Sequence, residues 1–474
     1  MTLSLLLASA EDGSQVMDAP LSPESLWRAP RPVPLSTPTH LSNMAAEPDS
    51  LPQQRWALLV PSGARGARIA ANLAPLCELR SAQQGAVVDI HAVPPGLDST
   101  RAHDFRDRVL HPRARPTREH PRYVLLAGSP EDLSLELQES LTGDGACFVG
   151  RLAFAEDEDY AAYSSKVVES EQSVAPTRKA RVLFLSVDDG TTAVRVGQEY
   201  IVSVVGRRCG DARGRGYFPA SALVQEKLRM GSANRLLELA GESEPTLLFS
   251  LSHGIGGSAQ GWASPAEQRH VQGNLSLGAG QTLTASDIRQ RPFLPGGIWF
   301  YFACFGAGTP VRSVYLPWME QLVREGVVPP RELAALIRSR PVDGQPFMAA
   351  LPQAALANPK GPLAVVAHMD LAWTHAFHDA STGRSHSHRL EAVLSSLVDG
   401  HRAGPALETL SRFARQADER LRKQYQAEAE AVSRGHPTST DAMERALLWL
   451  ERHDVTNYVL LGDPAARLVV PSPC

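Results

Sequence analysis

The sequence predicts an α/β fold: a smaller Rossmann-like α/β subdomain followed by a larger sheet with flanking helices. Three features carry that expectation. Short apolar runs such as WALLVP (Trp56–Pro61), YVLLA (Tyr123–Ala127) and VLFLSV (Val182–Val187) recur along the chain. Each is bounded by glycine, proline or polar residues, which is how strands buried on both faces read. Amphipathic stretches at helical spacing lie between them, and strands alternating with helices imply a largely parallel sheet. Two further runs end on reactive side chains. LLFSLSHGIGG places His253 and Gly254 beyond one strand, and GIWFYFACFGAG places Cys304 beyond another.

With 474 residues the chain exceeds what one simple core serves, so more than one domain is expected. A hydrophobic share of 43% and a charged share of 21% are ordinary for a soluble globular chain. The net charge of -4, with both signs mixed along the sequence, gives no reason to expect nucleic-acid binding. No apolar run approaches the ~20 residues of a membrane span, so no membrane association is expected. The five cysteines, Cys77, Cys147, Cys209, Cys304 and Cys474, form no Cys-x-x-Cys pair. That argues against a zinc site or a disulfide framework and fits a reducing compartment. The N-terminal MTLSLLLASA has a short apolar run and an Ala-x-Ala-like end, but no basic residue before it. A frayed tail on a cytoplasmic protein is therefore expected rather than a secretory signal.

Residues 1–54 read as a disordered leader, rich in Pro, Ser and Ala and without periodicity. Residues 55–171 hold the first subdomain. Its strands are Trp56–Pro61, Ala86–Val93, Tyr123–Pro130 and Phe148–Phe154. Its helices are Ala67–Arg80, with Ile69, Leu73, Leu76 and Leu79 on one face, then Glu131–Leu141 and Glu156–Glu171. The Arg- and His-dense Arg101–Arg122 also carries Asp104, Asp107 and Glu119, so it reads as solvated surface rather than a phosphate site. Residues 172–180 form a polar linker, and 181–474 the larger domain. Its strands are Val182–Val187, Leu247–Ser252, Ile298–Ala303, Pro362–Asp370 and the terminal NYVLLGDPAARLVV. Val196–Val205 is ambiguous: β-branched residues favour a strand, whereas a crossover at that point requires a helix. The run GRRCGDARGRG (206–216) reads as a loop and Ala220–Leu239 as a helix. His388–Leu397, Ala406–Val432 and Asp441–Arg452 are the later helices.

Ligands of open α/β sheets sit beyond the carboxyl ends of the strands. Two neighbouring strands ending on His253 and Cys304 would bring an imidazole and a thiol to one crevice, which is what nucleophilic cysteine catalysis needs. Taken singly, each has a plainer reading: a free cysteine is often a small buried hydrophobe, and His-Gly after a strand is often a turn. The combination, with glycines on both sides that free backbone N–H groups, favours the catalytic one. Cys209 sits among arginines that would lower its pKa, but in an expected loop. His386 and His388 lack a carboxylate partner for a metal, and no phosphate-binding glycine motif occurs.

The order strand–His-Gly, then strand–Ala-Cys, resembles the caspase-fold (clan CD) cysteine peptidases, most closely the gingipain-like enzymes and bacterial caspase-like proteases with a CHAT-type domain. LLFSLSHGIGG, WFYFACFGAG and NYVLLGDPAARL carry the resemblance; RYVLLAGSPEDLSLELQ and FVGRLAFAEDEDYAAYSSKVVESE look like the first gingipain subdomain. It spans about Trp56 to Val470. What it implies is a caspase-like sheet and a cysteine endopeptidase with His253 as base and Cys304 as nucleophile. The oxyanion donors would be the backbone N–H groups of Gly254 and Cys304, and no cofactor or metal is implied. Protein or peptide substrates, an activating protease or regulatory partner, and a role in bacterial defence follow from the same analogy. Several basic-specific relatives carry an acid two residues before the cysteine, where this chain has Phe302. In AVVAHMDLAWTHAF, which matches the specificity wall, Met369 and Trp373 would line a slot. Asp370 would either bind a basic side chain there or cap the segment that follows. An inactive scaffold of the same fold, and a small-amide hydrolase or acyl transferase using the same dyad, are the rival readings.

Overall fold

The computed structural model describes residues 3, 5, 20–32, 46–143, 145–172, 178–229, 233–257, 260–289, 291–379, 383–436 and 441–471. Ten strands form one sheet: β1 Trp56–Pro61, β2 Asp89–Val93, β3 Tyr123–Ala127, β4 Phe148–Leu152, β5 Arg181–Asp188, β6 Leu223–Arg229, β7 Thr246–Leu251, β8 Ile298–Phe302, β9 Ala364–His368 and β10 Tyr458–Gly462. Their spatial order is β2-β1-β3-β4-β10-β9-β8-β7-β5-β6. Only β9 and β10 pair antiparallel. The α/β class therefore holds, as a mostly parallel sheet flanked by helices.

The two sheets expected from the sequence are joined edge to edge. The terminal strand β10 pairs with β4 of the first unit, Leu460 opposite Gly150 and Leu461 opposite Arg151. Gly150 is required at that seam, because a Cβ there would lie 2.1 Å from the Gly462 carbonyl oxygen. Just past the seam, Asp463 accepts from Trp56 Nε1 at 2.9 Å and from Arg80 Nε at 2.9 Å and Nη2 at 2.6 Å. Arg80 also donates to both oxygens of Glu171, at 2.7 and 2.8 Å. The Gly-Asp-Pro turn is thus the clasp between the two halves, a fully buried ionic network whose donors are all met.

Strand alternation divides the core. On β8, Trp299 and Tyr301 enter the apolar layer on one face, while Ile298, Phe300 and Phe302 enter the other. Helices close both layers. Three local expectations change. All of GRRCGDARGRG but its last two residues is helical, ending at Gly214, because Val205 and Cys209 are buried against the sheet and packing overrides the glycines. Cys209 is accordingly inert: burial pushes its thiol up to about 12. Ala220–Leu239 divides into edge strand β6 and the helix Ala233–Ala240, since β6 pairs with β5 over seven positions. Val196–Val205 is helical.

Part of the expected leader is also ordered. Ser22 caps the short helix Pro23–Trp27 through its side chain. Leu3, Leu5, Leu21 and Leu26 are buried against Trp318 and Trp449. The indoles of those two tryptophans donate to the Ser25 and Pro30 carbonyls, at 3.2 and 2.6 Å. Apolar anchors at these positions outweigh the proline-rich composition between them. The remainder of 1–45, and 173–177 of the expected linker, lie outside the described residues. Among the described residues, no helix is long and apolar enough to cross a membrane.

Candidate active site

Strands β5, β7, β8 and β9 run parallel and side by side, so their carboxyl ends form one rim. Leu251 of β7 is level with Phe302 of β8 and Ser186 of β5. The residues just beyond each strand therefore meet: Asp189 and Thr191 after β5, His253 and Gly254 after β7, Cys304 after β8, and Asp370 to Trp373 after β9. His253 and Cys304 line a single cavity of ≈ 120 Å³ with Val194, Leu251, Phe302 and Trp373 among its walls.

His253 Nε2 lies 2.9 Å from Thr191 Oγ1 and 3.6 Å from Asp189 Oδ2. The Thr191 hydroxyl donates to Asp189 Oδ1 at 2.8 Å, so its oxygen is left to accept from the Nε2–H of the imidazole. That assigned tautomer leaves the lone pair on Nδ1. Burial lowers the His253 pKa, with Asp189 opposing, so the ring is neutral at neutral pH. Asp189 and Thr191 were not singled out from the sequence. The signal available was the polar DDGTT directly after a buried strand, but only the sheet order shows that this strand neighbours β7.

Gly254 faces the Cys304 backbone so closely that a Cβ would sit 1.8 Å from the Cys304 carbonyl oxygen and 3.1 Å from its nitrogen. Gly254 bridges Leu275, and the flanking hydrogen bonds run from Ser276 N–H to the His253 carbonyl and from Ile255 N–H to the Asn274 carbonyl. Gly254 is thus at a non-hydrogen-bonded position, where the ladder leaves its own N–H unused. Among the described residues, the Cys304 N–H has no backbone carbonyl partner either. After Cys304, Phe305 adopts φ 56°, a left-handed conformation unusual for a bulky residue. It is held there by its N–H on the Asp370 carbonyl at 2.9 Å and by Ala307 N–H on the His368 carbonyl at 2.8 Å.

The loop after β9 forms the opposite wall. Its three consecutive N–H groups all have partners: Leu371 donates to Asp370 Oδ1 at 2.8 Å, Ala372 to Cys304 Sγ at 3.4 Å, and Trp373 to Asp454 Oδ1 at 2.7 Å. Asp370 is fully buried, and its Oδ2 accepts from Val314 N–H at 3.0 Å. Its carboxylate caps backbone groups on both sides of the wall and does not line the cavity, whereas Trp373 does. Met369 is buried in the core beneath. Behind the wall, His368 Nε2 contacts the Asp454 carbonyl at 3.0 Å and its Oδ1 at 3.3 Å. Burial pushes the Cys304 thiol up to about 11, with the Ala372 N–H opposing and Asp370 and Asp454 adding to the rise. Among the described residues, no group of three or more His, Cys, Asp or Glu side chains is placed to hold a metal ion.

No family model and no curated protein sequence matches the chain. Three solved structures are similar to it in shape. One is gingipain R, an Arg-specific cysteine proteinase, with a TM-score of 0.46 and 10% identity over 88% of this chain and 78% of that one. A second, described as a protease, gives a TM-score of 0.47 and 14% identity over 87% of this chain and 78% of its own. The third is the complex of the pro- and mature domains of RgpB from Porphyromonas gingivalis, at a TM-score of 0.46 and 11% identity, covering 87% of this chain and 79% of that one.

Proposed function

We propose that the chain is a caspase-like cysteine endopeptidase in which Cys304 is the nucleophile and His253 the base. The observation that carries this is one cavity holding both side chains, beside the N–H groups of Gly254 and Cys304, which among the described residues donate to no backbone carbonyl. In the reaction, His253 Nδ1 takes the thiol proton as the sulfur attacks the scissile carbonyl carbon. The oxygen becomes an oxyanion received by the N–H groups of Gly254 and Cys304. When the tetrahedral species collapses, the C–N bond breaks and the imidazolium protonates the departing amine. A thioester remains on Cys304, and water activated by the neutral imidazole hydrolyses it, restoring the thiol. Asp189 and Thr191 hold the ring and favour its cationic form in passing, without touching the substrate.

Trp373 walls the substrate side of the cleft, with Asp370 and Met369 supporting that wall from beneath. Protein or peptide substrates suit a cleft at a sheet rim that is open to one side. Control through cleavage or a partner would act on the leader or on the linker at 172–180. The test is labelling of the full chain with an acyloxymethylketone peptide probe, followed by peptide mapping, alongside a peptide-cleavage assay. Modification at Cys304, and loss of turnover in Cys304→Ala, is the expected result. Undiminished cleavage by Cys304→Ala would end the proposal.

A further inference from the structure

We infer that the slot beside Cys304 selects an apolar side chain of about leucine or methionine size in the residue before the scissile bond; this rests on the peptidase reading above. The walls are Val194, Leu251, Phe302, Leu371, Ala372 and Trp373, and His253 is the one ionisable side chain among the lining residues besides Cys304 itself. A cavity of roughly 150 Å³ with such a lining accommodates a benzene-sized apolar ligand. At ≈ 120 Å³ this slot, open to one side, has room for a branched or linear four-atom apolar side chain.

The carboxylates around the slot are already engaged: Asp189 accepts from Thr191 Oγ1 at 2.8 Å and stands 3.6 Å from His253 Nε2. Asp370 spends its oxygens on the N–H groups of Val314 and Leu371, and Asp454 spends Oδ1 on Trp373, its Oδ2 being buried without a hydrogen-bond partner among the described residues. Both residues are fully buried behind the wall. An arginine or lysine entering the slot would give up its water with no carboxylate among the residues that line it, which is strongly unfavourable. Phe302 is fixed as the floor: its ring packs 5.8 Å from Phe377 and 6.1 Å from Tyr458, centroid to centroid.

Val194 is the partition that keeps the slot apolar. On its far side lies a polar cavity of ≈ 580 Å³ whose lining includes Asp188, Arg195, Glu199, Arg207 and Lys227. Asp188 is paired there with Lys227 at 3.0 Å. Val194 lines both spaces, and its N–H is anchored on Thr191 Oγ1 at 3.3 Å, so the partition is tied to the residue that orients His253.

The experiment uses the full chain with fluorogenic peptides that differ only in Leu, Met, Arg, Lys or Asp before the scissile bond. Leu- and Arg-bearing acyloxymethylketones are mapped to Cys304 in parallel. Leu and Met should exceed Arg and Lys in kcat/KM by at least about tenfold. Asp370→Asn should leave the Leu/Arg ratio unchanged, and Val194→Asp should raise Arg cleavage relative to Leu. Should Val194→Asp fail to fold, the wild-type panel and the Asp370→Asn ratio decide alone. Faster modification of Cys304 by the Arg probe, or Arg cleavage lost in Asp370→Asn, would overturn the apolar slot and leave the peptidase reading intact. No cleavage and no modification of Cys304 by either probe would remove both.

Discussion

The backbone N–H of Ala372 reaches the sulfur of Cys304 at 3.4 Å, which makes the wall loop a partner of the thiol as well as a boundary of its cavity. Such a bond favours the thiolate, yet burial dominates and the thiol remains high, at about 11. His253, lowered by its own burial, is neutral beside it. The geometry thus describes a thiol and a neutral imidazole at rest, not an ion pair.

Alkylation of Cys304 by iodoacetamide is therefore expected to be slow at neutral pH and to rise ~10-fold per pH unit through the alkaline range, as the thiolate fraction grows. Rates read by peptide mapping between about pH 6 and pH 10 check this. A rate that is already high and flat across that range would mean a preformed thiolate–imidazolium pair and would sink the resting-state assignment.

Asp189 and Thr191 hold His253 by one edge, so their removal should be felt in kcat more than in KM. Thr191→Val is expected to cost about 10- to 100-fold in kcat through a misplaced ring. Asp189→Asn removes the charge that raises the His253 pKa, so the acid limb of kcat/KM should move to lower pH. A structural role alone would lower activity at every pH without moving that limb. An unmoved limb in the Asn variant would exclude Asp189 as the partner of the ring.

Gly254→Ala tests the approach of two backbones. Its Cβ would overlap the Cys304 carbonyl at 1.8 Å, and one strand end must shift to admit it. The two N–H groups proposed to receive the oxyanion would separate, and loss of one such donor costs about 10²–10³-fold in kcat. Circular dichroism melting of the same variant separates this from unfolding. Retained activity in a folded Gly254→Ala chain would take Gly254 out of the mechanism.

What the sequence made legible follows from whether the governing contact is local. Strands β1, β3, β5, β7, β8 and β9 read correctly because each is a continuous apolar run, and that is a property of the segment itself. Edge strand β6 did not: Leu223–Arg229 carries Glu226 and Lys227 on a half-solvated ladder and reads as a helix until β5 is seen beside it. The helix at 203–214 was hidden by glycines that a buried Cys209 and Val205 override. In the site, His253 and Cys304 stood out because each ends an apolar run. Thr191, Ala372 and Asp454 did not, since they act through backbone groups or across strands whose adjacency is set by sheet order. Asp370 was ambiguous in sequence for the same reason: its partner Val314 lies in a segment with no pattern linking the two.

The clasp around Asp463 gives a stability prediction with a definite pH dependence. Arg80, Glu171 and Asp463 have side chains 0–2% exposed, so removing one member leaves uncompensated charge in the core. Arg80→Leu is expected to cost about 3–5 kcal/mol, the usual loss when one partner of a buried pair is deleted. Burial alone would raise the Glu171 carboxyl, but the charge and hydrogen bonds of Arg80 outweigh it and hold it at about 2. An unfolded glutamate titrates near 4.3, so the unfolded chain takes up the proton first as the pH drops. The contribution of Glu171 is therefore complete above about pH 4.3 and is lost as pH falls toward 2. Urea melts of wild type and Glu171→Gln from about pH 6 down to pH 3 should converge as acid is added, because the wild type alone loses this term. Parallel curves, with the gap unchanged at the acid end, would show that Glu171 is not held ionised by Arg80 and would remove the network from the account of how the two halves stay joined.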